Sequence, residues 1–236
     1  MGGHIVKSYE EELALLDKKI AQMGGLAESL LGRAFEALEQ HDPKLAETVV
    51  QSDRAIDALQ RDIEEQAIVM IARRQPMAND LRHIIGALRL TGDLERIGDL
   101  GKNIAKRALA IASEPYPKPV ISGLRHMLER ALQQLKDVLD AYAARDAAAA
   151  LKVWREDAEI DAMYNSVFRE LLTYMMEDPR NIGLCTHLLF GAKNLERIGD
   201  HATNIAEMIH YLVKGVAITD DRPKSDDTSS TLISRP

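Results

Sequence analysis

Two copies of one charged hexapeptide, LERIGD, carry the side chains of this sequence that are best suited to bind a cation. The copies span residues 94–99 and 195–200. Each copy puts a glutamate and an aspartate four positions apart, and an asparagine follows after four more. On a helix this spacing places all three oxygen-bearing side chains on one face. They are Glu95, Asp99 and Asn103 in the first half of the chain, and Glu196, Asp200 and Asn204 in the second.

Paired aspartates with the same spacing precede each hexapeptide row. These aspartates are Asp53, Asp57, Asp157 and Asp161. If the helices that carry them align with the rows, each half of the chain brings four carboxylates and one amide together. Such hard oxygen ligands suit Mg, Ca, Mn or Fe. Because like charges four residues apart repel unless something neutralises them, the pattern predicts a metal site in each half.

Two other interpretations of the rows stay open. An acidic row on a helix is commonly a solvated face, and Arg96 and Lys102 could pair with its carboxylates. Glu207 and His210 form an ExxH pair of the kind found in di-iron bundles, which points to a carboxylate-bridged metalloenzyme or a metal-storage protein. The counterpart of this pair in the first half, residues 106–109, has the sequence KRAL and offers no metal ligand. The metalloenzyme is therefore the alternative hypothesis.

The elements that must hold these rows are predicted from apolar residues spaced alternately by three and four. This pattern recurs in six segments and indicates six long helices. Asp42 followed by Pro43 is typical of a helix start, and Pro76 disfavours helix in the residue before it. After the proline-rich stretch 113–119 the same plan repeats, since Ile56 and Ile160 begin matching IDAL and IDAM motifs.

A repeat of this size predicts an all-α fold of two tandem, pseudo-repeated three-helix bundles. The polar stretch after residue 214 lacks periodicity and is expected to be a disordered tail. The expected organisation is a first bundle at 5–112, a linker at 113–119, a second bundle at 120–214 and a tail at 215–236.

Composition narrows the class of protein further. A formal net charge of −7 argues against a general nucleic-acid binder. The one cysteine, Cys185, cannot form an intramolecular disulfide, which favours a reducing compartment. The N-terminus lacks an apolar signal core, and no apolar run is long enough to span a bilayer, so we expect a cytoplasmic protein. No nucleophile constellation or phosphate loop is recognisable, so we do not expect an enzyme.

At these residues the sequence resembles the PhoU family. The residues RQPMA at 74–78, DLR at 80–82 and GDLERIGD at 92–99 are similar to the signature of that family's first repeat. The residues NLERIGDHATNIAE at 194–207 are similar to its second-repeat signature. The resemblance extends over about residues 5–214. It implies two three-helix bundles that bind metal ions through the hexapeptide rows, with the four paired aspartates as further ligands.

The resemblance also implies a function. Members of this family act as negative regulators of phosphate uptake and of the phosphate-starvation response, between the phosphate ABC transporter with its ATPase and a phosphate-sensing histidine kinase. It further implies a homodimer that reaches the membrane only through these partners, with divalent or ferric ions of Mg, Mn, Fe or Ca as cofactors. Because Lys102 and Lys106 near the first row are replaced by Thr203 and Glu207 near the second, we expect the second site to hold metal more tightly.

Overall fold

The structure, a computed structural model, describes residues 2–222 and residue 224, with side chains described from residue 9 onward. Six long helices and two short ones account for nearly all regular structure in these residues, and no strand is found among them. The helices are α1 (Gly2–Glu39), α2 (Pro43–Ser52), α3 (Arg54–Arg74), α4 (Asn79–Ala110), α5 (Lys118–Ala144), α6 (Ala147–Arg155), α7 (Asp157–Glu177) and α8 (Ile182–Lys214), with a 3-10 turn at Pro179–Asn181. The all-α prediction is confirmed.

The corresponding corners of the two bundles are capped in the same way. Asp42 accepts hydrogen bonds from the backbone N–H groups of Lys44 and Leu45, at 2.9 and 3.0 Å. Asp146 caps α6 in the same manner through the N–H groups of residues 148 and 149. An aspartate in extended conformation before a helix satisfies donors that the first turn leaves unpaired. The prediction of a helix start at Pro43 is therefore confirmed.

The middle element of each bundle differs from the sequence-based expectation. We predicted one continuous helix in each, but the structure divides the first at Asp53 and the second at Glu156. At the breaks Asp53 has φ −55° and ψ −32°, and Glu156 has φ −88° and ψ 5°. Each break lies at or next to the first aspartate of a DxxxD pair, Asp53 or Asp157, so both aspartates sit at a helix junction.

Helices α4 and α8 pack against each other in antiparallel orientation and join the bundles. Asp93 of α4 contacts His201 of α8, and Arg107 near the end of α4 lies over the ring of Phe190 near the start of α8. One continuous apolar core runs through both bundles. The two hexapeptide copies therefore lie side by side, halfway along these helices.

Residues outside the rows take structural roles. Cys185 is fully buried at the position equivalent to Ile84, as predicted for a small core residue. His83 lies 2.8 Å from Asp17, whose carboxylate also accepts a hydrogen bond from Tyr142 and pairs with Arg145. This cluster joins α1, α4 and α5, which packs the histidine between the bundles.

The expected disordered tail falls only partly on described residues. Gly215 ends α8 with a positive φ of 78°, which reverses the chain direction at no steric cost. Ala217 to Arg222 carry no helix or strand. Residues 223 and 225–236 lie outside the described part of the chain, so the disorder of the tail stays a prediction.

Candidate metal centres

The first hexapeptide row faces the junction between α2 and α3. We call Asp53, Asp57, Glu95 and Asp99 the first carboxylate set. Lys102, three residues after Asp99 on α4, places its Nζ atom 2.5 Å from Asp53 Oδ2 and 2.5 Å from Asp99 Oδ1. The ammonium group of Lys102 therefore joins the middle and last elements of the bundle. This pairing was one of the alternatives that the sequence left open.

Negative charge in the first set is only partly neutralised. Burial raises the pKa of Glu95, and the neighbouring charges of Asp99, Asp57 and Asp53 raise it further against the opposing charge of Arg96. Asp53 is 3% exposed, and its Oδ1 atom has no hydrogen-bond partner. Because an unpartnered buried carboxylate oxygen is costly, this atom is a suitable acceptor for a further donor or cation.

The second hexapeptide row faces the junction between α6 and α7 in the equivalent way. We call Asp157, Asp161, Glu196 and Asp200 the second carboxylate set. Three of these residues are nearly inaccessible, with exposures of 1% for Asp157, 2% for Asp161 and 3% for Glu196. Burial raises the pKa of Glu196; the hydrogen bond from Lys193 opposes this, and the charges of Asp200 and Asp161 add to it. The second set is therefore not a solvated acidic face, which was one of the alternatives that the sequence left open.

Thr203 occupies the position equivalent to Lys102. Its hydroxyl donates a hydrogen bond to Asp157 Oδ1 at 2.9 Å but brings no charge. Lys193 of α8 pairs with Glu196 at 3.0 Å. The cation between Asp157 and Asp200 is Arg222, from beyond the end of α8. Its Nε lies 2.7 Å from Asp157 Oδ2, and its Nη2 lies 2.8 Å from Asp200 Oδ1. Lys224 adds a second ion pair with Asp200, at 3.2 Å.

The glycines of the two hexapeptides allow the middle helix to approach closely. A Cβ atom on Gly98 would lie 2.8 Å from Ile56 Cδ1 and 3.3 Å from Asp53 Oδ1. A Cβ atom on Gly199 would lie 2.9 Å from Ile160 Cγ2 and 3.1 Å from Gln134 Oε1. Close approach is one of the two uses that the sequence suggested for these glycines.

The two asparagines of the rows do not have the same surroundings. Asn204 donates to Asp93 Oδ1 across the α4–α8 contact, at 3.3 Å, and its own oxygen faces Arg222. Asn103 is half-buried one turn beyond Asp99. The second amide thus belongs partly to the junction between the bundles.

Sequence reasoning missed Arg222, Lys224 and the contact between Asp93 and His201. The replacement of Lys102 by Thr203 predicts, by charge alone, a more acidic second site. Because of the same replacement, the position on α8 that would bridge Asp157 and Asp200 carries no positive charge. The missing positive charge at position 203 was the signal in the sequence that a cation could come from another part of the chain.

The ExxH pair of the alternative hypothesis is engaged elsewhere. Glu207 accepts a hydrogen bond from Trp154 Nε1 at 2.9 Å, and His210 Nδ1 lies 3.2 Å from the backbone oxygen of Val216. Within residues 2–222 and 224, no three His, Cys, Asp or Glu side chains converge closely enough to hold one ion as they stand. The oxygen donors suit a hard cation, but such an ion needs the positions now taken by Lys102 and Arg222.

Comparison with known proteins places the chain in a family. The PhoU domain family model matches residues 20–108 and 124–209, one match in each bundle. The chain belongs to the PhoU family. Two similar proteins are described as "Phosphate-specific transport system accessory protein PhoU homolog". One, from Rhizobium meliloti, is 55% identical over 97% of this chain and 96% of its own length. The other, from Caulobacter vibrioides, is 51% identical over 96% of this chain and 98% of its own.

Crystal structures of PhoU proteins share the fold. PhoU from Pseudomonas aeruginosa superposes with a TM-score of 0.85 at 40% identity, covering 88% of this chain and all of that one. The regulatory protein PhoU from Streptococcus pneumoniae gives a TM-score of 0.82 at 30% identity, covering 89% and 99% of the two chains. No helix in the described part of this PhoU chain is both long and apolar enough to cross a bilayer.

Proposed function

We propose that this chain is a non-enzymatic accessory protein of phosphate transport that restrains phosphate uptake and the phosphate-starvation response. In this proposal it acts in the cytoplasm as a homodimer, docked between the ATPase of the phosphate ABC transporter and a phosphate-sensing histidine kinase. The observation that carries the proposal is the 55% identity over 97% of the chain to a phosphate-specific transport system accessory protein. An alignment of that extent includes both carboxylate sets and the contact between the bundles.

We further propose that each carboxylate set binds a divalent or ferric ion. Two features support this proposal: the oxygen donors are of the type that Mg, Ca, Mn and Fe accept, and buried carboxylate oxygens of Asp53 and Glu196 lack hydrogen-bond partners. In the first set the ion takes the place of the Lys102 ammonium group between Asp53 and Asp99. In the second set it takes the place of the Arg222 guanidinium group between Asp157 and Asp200.

The regulatory proposal is tested by deleting the gene. We expect phosphate-starvation genes to be expressed in phosphate-rich medium, and the intact gene on a plasmid to restore their repression. Any paralogue is deleted in parallel so that it cannot substitute. Normal repression in a strain that lacks all copies contradicts the regulatory role.

The metal proposal is tested by thermal unfolding with and without a chelator. A ligand that binds only the folded state stabilises it by about 2.7 kcal/mol when its free concentration is 100 times its dissociation constant. We expect the chelator to lower the Tm and added Mn²⁺ to restore it. Asp99→Asn combined with Asp200→Asn should remove most of this response.

The matched control for the metal test replaces two aspartates outside the sets. Asp62 and Asp140 are exposed and each pairs with one lysine. Asp62→Asn combined with Asp140→Asn removes the same charge and should leave the metal response intact. A response that survives in the Asp99 and Asp200 variant, or disappears in this control, places the ion elsewhere.

A further inference from the structure

The second carboxylate set contains a ligand supplied by the chain itself. Arg222 donates from Nε to Asp157 Oδ2 at 2.7 Å and from Nη2 to Asp157 Oδ1 at 3.0 Å, which is the two-pronged geometry of a strong arginine–carboxylate pair. Its Nη2 also reaches Asp200 Oδ1 at 2.8 Å. The acceptor Asp157 is 1% exposed, so the guanidinium group enters a buried site.

The path of the chain explains how Arg222 reaches this site. Gly215 turns the chain back, and the eight residues beyond Lys214 can span at most roughly 28 Å. The rise of α8 between Asp200 and Lys214 is about 21 Å. The C-terminal segment, residues 215–222, is therefore long enough to run back along α8, and the contact of Arg222 with Asp200 shows that it does so.

The same segment forms one wall of a cavity between the bundles. This cavity has a volume of about 780 Å³, and its lining includes Ala217 and Ile218 of the segment together with His201, Asn204 and Tyr211 of α8. Ile218 is partly buried against the apolar core. Glu95 of the first carboxylate set also lines the cavity. The Lys224–Asp200 ion pair and the contact of His210 with the Val216 carbonyl are both exposed. If Arg222 leaves, the segment loses its buried polar anchor, and the wall formed by Ala217 and Ile218 can open.

We propose that the C-terminal segment is a strap that Arg222 fastens into the second carboxylate set, so that binding of a divalent cation there and opening of the cavity are one event. The proposal rests on the proposed binding of metal by that set. A cation between Asp157 and Asp200 and the guanidinium group of Arg222 require the same oxygens, so one excludes the other. The first set has no such coupling, because Lys102 belongs to α4 and can swing aside without moving the backbone.

The strap can be followed with a single introduced thiol. The natural Cys185 is fully buried and does not compete for a thiol reagent. In full-length Ile218→Cys protein without metal, we expect slow labelling, and adding Arg222→Gln should accelerate it about tenfold, as loss of a charge-assisted hydrogen bond implies. Lys224→Gln is the matched control: it removes the same charge from the same end of the chain, but Lys224 is half-exposed. It should change the rate less than about threefold.

The cation is tested with Mn²⁺ on the same proteins. We expect Mn²⁺ to accelerate labelling of the Ile218→Cys protein. In an Asp99→Asn background, which weakens the first set, Arg222→Gln should lower the dissociation constant for Mn²⁺ about tenfold, and Lys224→Gln should not. Equal labelling rates with and without Arg222→Gln overturn the strap, even if Mn²⁺ binds.

Two other outcomes separate this inference from the proposed function. In the first outcome, Arg222→Gln labels faster but no variant binds Mn²⁺. This result supports the attachment of the segment by Arg222, but it overturns the shared site and the metal part of the proposed function. Mn²⁺ binding that Arg222→Gln does not strengthen, and that does not accelerate labelling, overturns the coupling and leaves metal binding intact.

Discussion

The two carboxylate sets have the same types of acidic residue, but the cation that bridges two of their aspartates comes from different parts of the chain. In the first set the cation is Lys102, which belongs to the helix that carries the hexapeptide and contacts Asp53 and Asp99. In the second set the equivalent residue is the neutral Thr203, and the cation is Arg222 from the C-terminal segment. The cation that bridges the two aspartates thus comes from the hexapeptide helix in the first set and from the C-terminal segment in the second, while Lys193 of α8 pairs with Glu196.

This difference shows that the source of the neutralising cation can change while the helices that form the site stay the same. Both hexapeptides keep the glycine and the carboxylates that fix the distance to the middle helix, so the scaffold of the site is the same. Under the strap proposal, the identity of the cation decides whether emptying the site moves only a side chain or a whole segment. A duplicated bundle can in this way hold one local site and one that is linked to a larger movement.

The largest expected effect on the free energy of unfolding comes from replacing each of the two cations in turn, measured with a chelator present. Lys102→Met leaves the buried Asp53 without its counter-charge and should cost about 3 kcal/mol of unfolding free energy, the lower end of the range for breaking a buried ion pair. Arg222→Met should cost only about 1–2 kcal/mol, because the Thr203 hydroxyl still serves Asp157 and release of the segment admits water. Urea unfolding measures both values.

A control variant separates this effect from general loss of positive charge. Arg96 is 64% exposed at its side chain and lies 3.7 Å from Glu95, so Arg96→Met should change stability by less than about 0.5 kcal/mol. A cost for Arg222→Met that equals or exceeds that of Lys102→Met would show that the segment is as integral to the fold as α4.

An intermediate effect is expected from filling the hexapeptide glycines. A methyl group on Gly98 meets the terminal Cδ1 of Ile56, which can rotate away, so Gly98→Ala should be close to neutral. A methyl group on Gly199 meets Cγ2 of Ile160, which is fixed on the β-carbon. Overpacking costs about 1–3 kcal/mol and alanine returns about 1 kcal/mol of helix propensity, so Gly199→Ala should lose about 1 kcal/mol net.

Two other glycines on the same helices serve as controls for this prediction. At Gly92 and Gly191, the position that a methyl group would take has open space around it within 4 Å. Alanine at either should therefore stabilise the protein by about 1 kcal/mol. Equal stability of Gly98→Ala and Gly199→Ala relative to these controls would contradict the distinction between the two isoleucine contacts.

The smallest expected effect concerns pH. Burial raises the pKa of Glu196 and of Glu95, and Glu196 is the more buried. A raised carboxyl pKa means that the folded state binds the proton more tightly than the unfolded state, so the ionised form opposes folding at neutral pH. Without metal, Glu196→Gln should stabilise the protein at pH 7 by about 1 kcal/mol or less, and more than Glu95→Gln does.

The stabilisation by Glu196→Gln is expected only within a certain pH range. As pH falls through the raised pKa of Glu196 toward the ordinary value of a glutamate, near about 4.3, wild type gains the proton and the advantage of glutamine disappears. Unfolding curves at several pH values measure the difference between the variants. An advantage that grows on acidification would mean that the ion pair with Lys193 outweighs burial.

The sequence was sufficient for the helices and the repeat, because apolar spacing, caps and prolines act locally along the chain. Asp42 followed by Pro43 correctly predicted a helix start. The alignment of Cys185 with Ile84 in the repeat correctly predicted that Cys185 is buried in the core. The breaks at Asp53 and Glu156 were not predicted, since the apolar spacing continues through both. The expected repulsion within each row is present, since the charges of Asp99 and Asp200 raise the pKa values of Glu95 and Glu196. The sequence did not show that each aspartate also pairs with a cation.

By itself, the sequence determined that two equivalent rows of carboxylates lie on the last helix of each bundle, because helical periodicity converts spacing into a shared face. Only the tertiary structure decided which cation neutralises each row. Lys102 lies three residues from Asp99, so its reach follows from helix geometry. Arg222 lies 65 residues from Asp157, and the pair forms only because α8 ends at Gly215 and the chain folds back along it. Contacts of that kind depend on where helices end and how they pack, and no local pattern encodes them.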